Sequence, residues 1–112
     1  MTTHIISRVT VFKIPKLEDQ EVVLREFTNL QHGALKDGVP YILSVKAGHC
    51  FEDTRSQGCS IALQTTFSGL EDMQFFDHEC RYHEEMKKIV GPRITSPPLV
   101  VYFKDIVAST TA

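Results

Sequence analysis

The chain has 112 residues, 42% hydrophobic and 23% charged, which fits one globular domain spanning 1–112 with a core of about 4–106. A net charge of −2 gives no global field to draw nucleic acid or anionic lipid. The basic residues Arg25, Lys36, Lys46, Arg55, Lys87 and Lys88 never form a stripe, so a nucleic-acid partner is not expected.

The opening segment Met1 to Arg8 lacks the apolar core of a secretory leader, and no apolar run approaches the roughly 20 residues that span a bilayer. No membrane partner is expected. Residues 4 to 14 predict a strand rich in β-branched and aromatic residues. One face carries His4, Ile6, Arg8, Thr10 and Phe12; the other carries Ile5, Ser7, Val9, Val11 and Lys13. Pro15 ends the strand, and Glu18, Asp19 and Glu21 suit the positive end of a following helix. Val23, Phe27, Leu30 and Ala34 recur at helical spacing, which predicts about four continuous turns stopped at Lys36 to Pro40, with Gly38 as a left-handed cap.

Tyr41 to Ala47 predicts a second strand, Gly48 to Gly58 a polar loop, and Cys59 to Phe67 a third strand. Ser68-Gly-Leu-Glu71 predicts a capping box opening a second helix, whose stripe runs Leu70, Met73, Phe76, Cys80 and on to His83. Val90-Gly91-Pro92 ends it, Ser96-Pro97-Pro98 leads into a last strand at Leu99 to Ile106, and a frayed tail is expected from Ala108 onward. Three cysteines, Cys50, Cys59 and Cys80, form no CxxC motif and read as reduced thiols of a soluble, cytoplasmic protein.

This β-α-β-β-α-β order predicts a ferredoxin-like α+β sandwich, a four-stranded antiparallel sheet with both helices on one face. The other face stays bare although Ile5, Val9 and Val11 are apolar there. A bare apolar patch of several hundred Å2 is uncommon on a monomer. Two sheets packed face to face would bury it, predicting a homodimer that closes a barrel; a larger ring would use the same surface.

Four features, in this order and spacing, resemble the stress-responsive dimeric α+β barrel (Dabb) family over about residues 5 to 105. They are Val11-Phe12-Lys13-Ile14, then Gly58…Ala62-Leu63…Phe67 followed by Ser68-Gly-Leu-Glu-Asp-Met-Gln-Phe-Phe76, then His83, then Val100-Val101-Tyr102-Phe103. The segment Asp77-His78-Glu79-Cys80 is similar to fungal members, which implies a place in secondary metabolism. The resemblance also implies a dimer. A plant member cyclises a linear polyketide between sheet and helices, using a tyrosine and a histidine of the second helix and no cofactor. His83 matches that histidine. Phe76 stands at the tyrosine's position, Arg8 and Ile61 replace pocket histidines of the first and third strands, and Phe27 replaces a pocket tyrosine of the first helix.

His83 is therefore the candidate proton carrier, since an imidazole titrates near neutral pH. The structural alternative is a half-buried histidine bonded to backbone or to Glu79. Arg8, facing the helices, either pairs with Glu71, Asp77 or Glu84 or steadies an anionic ligand; with strand parity reversed it lies at a rim. Phe12, Phe27, Ile61, Phe76 and Tyr102, with Phe75, either line a substrate pocket or fill a solid core. His78, Glu79, Cys80 and His83 carry metal-capable atoms, but histidines five apart lie on different helix faces, so no metal is expected. GxSxG and phosphate-binding glycine loops are absent from the sequence, and no cofactor is implied. The expected function is binding of a small apolar, polyketide-like molecule with cofactor-independent cyclisation or isomerisation. The alternative is a non-catalytic stress-responsive dimer without an enzymatic pocket.

Overall fold

β-Branched residues and burial at Ile6, Arg8, Thr10 and Phe12 make Ile6–Phe12 (β1) an inner strand of a four-stranded sheet. The structure, a computed structural model, describes residues 4–109. The expected terminal fraying falls largely on 110–112, outside the described residues. After β1 come helices Leu17–Thr28 (α1) and Leu30–Gly33 (α2), a small hairpin of Leu35–Lys36 (β2) and Val39–Pro40 (β3), and strands Ile42–His49 (β4) and Ile61–Phe67 (β5). Helices Leu70–His78 (α3) and Arg81–Val90 (α4) and strand Leu99–Lys104 (β6) complete the order. The sheet runs β4-β5-β1-β6 with antiparallel neighbours, the ferredoxin-like arrangement the sequence predicts.

Register fixes which side chains share a face. Arg8 stands opposite Thr65 and Tyr102, and Phe12 opposite Ile61. Ile6, Arg8, Thr10 and Phe12 are buried under the helices, so the expected strand parity holds. From the helix side Val23 and Phe27 of α1, Leu30 of α2, Met73 and Phe76 of α3, and Met86 and Val90 of α4 close the layer. Aromatic pairs knit it: Phe12 with Phe27 at 5.7 Å between ring centroids, and Phe67 with Phe76 at 5.6 Å.

Several expectations change. The first helix is interrupted at Asn29, where the Thr28 hydroxyl donates back to the Leu24 carbonyl at 3.0 Å and loosens the turn. Gly38 (φ +78°) is left-handed as expected, yet with Asp37 (φ +52°) it forms a two-residue hairpin turn, not a helix cap. The capping box does not form. Ser68 donates to the Asp72 carboxylate at 2.8 Å, an acceptor already drawn in by Lys36 at 2.9 Å, and Gly69 becomes the cap residue. Leu70 is half-exposed, outside the predicted stripe. The second helix breaks at Glu79–Cys80, where both N–H groups converge on the Phe75 carbonyl at 2.8 and 2.9 Å. Between β4 and β5 the loop holds one 3-10 turn, Thr54–Ser56, capped by Asp53 accepting from the Arg55 N–H.

Gly33 ends α2 against the ring of Tyr82, and a Cβ placed there would clash with Tyr82 Cε2 and Cδ2. Gly33→Ala should lower stability in urea unfolding by about 1–3 kcal/mol through overpacking. Strong coupling to Tyr82→Ala in a double-mutant cycle would locate the cost at this contact; additive effects would place it elsewhere.

Candidate functional site

Where α3 gives way to α4, three predicted residues come together. In an unbroken helix the Phe76 carbonyl would accept from the N–H of Cys80; here Cys80 donates to Phe75 instead. His83, three residues into α4, takes up the Phe76 carbonyl through Nδ1 at 2.8 Å. Its ring stacks on the Phe76 ring with centroids 3.8 Å apart and planes 8° from parallel. Arg8 approaches from β1, its guanidinium 5.5 Å from the Phe76 centroid. Nη1 of Arg8 donates to Asp77 Oδ1 at 2.5 Å, so among the expected partners Asp77 is the one that meets it.

The hydrogen bond assigns the imidazole tautomer. A carbonyl oxygen only accepts, so Nδ1 carries the proton and Nε2 keeps its lone pair. His83 is 9% exposed, and burial pulls its pKa below the ordinary value; Lys87 and Arg8 push the same way, while the Phe76 carbonyl and Asp77 oppose. Nε2 makes no hydrogen bond to another described residue. Among those residues Tyr41 Oη and Arg93 Nε are the buried side-chain polar atoms without a hydrogen-bond partner, and Nε2 of His83 is not one of them. A neutral imidazole with a fixed tautomer and a free Nε2 can take a proton, and the Arg8 guanidinium, held against the same Phe76 ring, is a cation that can steady developing negative charge.

The aromatic candidates separate into two groups. Phe76 belongs with His83 and Arg8. Phe12 and Phe27, with Ile61 behind Phe12 in register, belong to the far end of the layer. There a cavity of about 240 Å3 is walled by Phe12, Phe27, Met86, Lys87, Val90 and Pro98. Met86 and Lys87 follow His83 by three and four positions, which puts this cavity about one helical turn along α4 from the imidazole. Phe27 also walls a cavity of about 280 Å3 with Leu24, Gln31 and Val45. Ile61 and Phe76 are fully packed. Tyr102 does not join an interior pocket: it stands 54% exposed on β6, opposite Arg8, because the helices stop short of this edge strand.

Met86, Lys87, Val90 and Pro98 are missing from the sequence-based candidates. The spacing of His83, Met86 and Val90 at i, i+3 and i+7 is the signal that would have found the α4 face. Tyr41 is a second omission. Its ring meets Phe75 edge-on at 5.2 Å, its Oη is buried without a partner, and burial keeps the phenol protonated well above its usual range.

Comparisons with known proteins agree with this architecture. Residues 6–105 match the Stress responsive A/B Barrel Domain, Dabb. A fusaristatin A biosynthesis cluster protein of Gibberella zeae is 36% identical over 99 residues, covering 88% of this chain and 72% of that one. A hydroxynitrile lyase from Passiflora edulis has a TM-score of 0.75 at 17% identity, over 99% of this chain and 100% of that one. A dimeric ferredoxin-like protein of unknown function from Thermobifida fusca gives 0.72 at 14%, over 93% of each. At these identities the two solved structures share the fold. Among the described residues no helix is long and apolar enough to cross a membrane.

The lowered His83 pKa makes a signed prediction. The unfolded chain binds this proton more readily, so stability is complete above the unfolded value of about 6.5 and falls as pH drops from there to the folded value. Urea unfolding between pH 7.5 and pH 5 should show that slope, and His83→Gln should flatten it. A ring titration followed by NMR at or above the ordinary histidine value would contradict the assignment.

Proposed function

We propose that the chain, which belongs to the stress-responsive A/B barrel family, binds a small apolar, polyketide-like molecule between sheet and helices and moves a proton on it without a cofactor. One observation carries the reading: His83, its Nδ1 held by the Phe76 carbonyl and its ring stacked on Phe76, offers a neutral Nε2 one turn from an apolar cavity, with the Arg8 guanidinium against the same Phe76 ring. His83 Nε2 removes a proton next to a carbonyl, Arg8 steadies the enolate, and the acyl or alkyl portion lies toward Phe12 and Phe27. Ring closure or isomerisation needs little more. The relative from a fungal biosynthesis cluster supports a role in secondary metabolism. Phe76 offers no phenol, so the proton leaves through His83 alone.

The working unit in this reading is a homodimer. On the sheet face away from the helices Val9 and Val11 adjoin Leu99, Val101 and Phe103, the last two about half exposed at 51% and 50%. Helices cover the opposite face only, so a second sheet is the natural cover for this one. The dimeric Thermobifida fusca neighbour supports the same arrangement.

A second reading has its own support. Arg8 is already paired with Asp77, and Ile61 and Phe76 are fully buried, as in a solid core serving a non-catalytic dimer.

Two experiments decide. Deuterium uptake at the activated carbon of an alkyl-substituted β-diketone, followed by NMR, should be accelerated by the protein. His83→Ala should lower the rate by roughly 10²–10⁴-fold and Arg8→Leu by roughly 10²-fold, with oligomeric state unchanged. Equal rates in all three proteins would leave the non-catalytic reading. Sedimentation at micromolar concentration should give a dimer, and Val101→Asp combined with Phe103→Asp should give a monomer; a monomeric parent chain rejects the barrel.

A further inference from the structure

Phe27 walls two cavities at once, and among the described residues it is the one that both share. The reason lies in the seat of α1, which packs on β4 along one side and on α4 along the other. On the β4 side Leu24 and Thr28, four apart on the helix, meet Val45 and Ala47 around a cavity of about 280 Å3. Val45 and Ala47 stand opposite Thr65 and Leu63, both buried under the helices, so this cavity lies on the helix face of the sheet. On the α4 side is the cavity of about 240 Å3 that Met86 and Val90 wall, one turn from His83. Phe27 is buried between the two, with its ring 5.7 Å from that of Phe12.

The two spaces differ in character. The one beside α4 is walled by apolar side chains apart from Lys87. The one beside β4 adds Gln31 and His32 to its wall and is the more polar. At about 30 Å3 for a group the size of water, the α4 cavity holds roughly eight methylene-sized groups. Each methylene that enters it should tighten binding roughly fourfold, and each one left in water should add nothing. A longer tail meets the Phe27 ring, beyond which Leu24, Val45 and Ala47 offer further apolar surface.

We propose that Phe27 is a partition that fixes how much alkyl chain the site buries, and so determines its specificity. The substrate class is then a polyketide-like molecule whose apolar tail runs to about eight carbons. This rests on the reading that the ligand's tail lies beside α4. The partition is a matter of shape and not of proton transfer, so binding alone reports it.

The test is calorimetric titration of the full chain with acetylacetones alkylated at the central carbon, from ethyl to decyl. Affinity for the parent chain should rise roughly fourfold per methylene to about octyl and then stay level. Phe27→Ala should go on tightening to decyl, where it should bind roughly tenfold more tightly than its own octyl value. Phe27→Leu, which removes less of the packing, should level off in between and serves if the alanine variant does not fold. Adding Ala47→Phe to Phe27→Ala should restore the early plateau by filling the second cavity, which a merely loosened core would not do. An unchanged plateau in the Phe27 variants overturns the partition and leaves the proton-transfer reading to the deuterium-uptake experiment. A shifted plateau without deuterium uptake upholds the partition and rejects only the chemistry. No saturable binding by any of the proteins overturns both.

Discussion

The hydrogen-bond partner that the Phe76 carbonyl gives up is the constraint on which the interior of this protein depends. Along one continuous helix, residues 76 and 83 would be separated by roughly 10 Å of rise and their rings would not lie flat on each other. Because Cys80 turns its N–H to Phe75, α4 starts afresh at a new angle and brings His83 back over Phe76 at 3.8 Å. The same bond satisfies a carbonyl at a helix end, fixes an imidazole tautomer and frees one ring nitrogen. Two orphaned groups, a buried carbonyl and a buried imidazole, answer each other.

Arg8 shows how tightly that arrangement is balanced. A guanidinium under a helical layer is costly unless it is paired. Asp77 pairs it from the last turn of α3 while Phe76 offers its ring face from the same turn. The charge is thus neutralised by the residue next to the one that anchors His83, so helix, strand and imidazole are fixed relative to one another by groups only a few atoms apart. The positive charge also helps keep the imidazole neutral.

Much of this was legible in the amino-acid order, because alternation in β1 and helical spacing in α1 and α4 report burial directly. The sheet order, the helix-facing parity of Arg8 and the apolar second face all follow from period and punctuation. What was illegible depends on competition between partners. Nothing local announces that Asp72 will take the Ser68 hydroxyl, or that Cys80 will leave Phe76 for Phe75, since both outcomes are decided by Lys36 and His83 arriving from elsewhere. The Asp37-Gly38 turn was legible as a left-handed bend, but strands of two residues leave no period to read. Tyr102 was misplaced because alternation specifies a face and says nothing of whether a helix reaches that far along the sheet.

One edge of the sheet has a consequence for how the protein must be made. All six residues of β6 are exposed, and Leu-Val-Val-Tyr-Phe-Lys is β-prone and apolar, with one flank of its backbone unpaired by any described strand. A segment of that kind templates strand-by-strand aggregation wherever nothing covers it. Pro97 and Pro98 before it and Lys104 at its end are gatekeepers that limit how far such growth can spread. Overexpression therefore stresses this molecule at its C-terminal hairpin-free rim first, and solubility should be won or lost there while the buried layer remains intact.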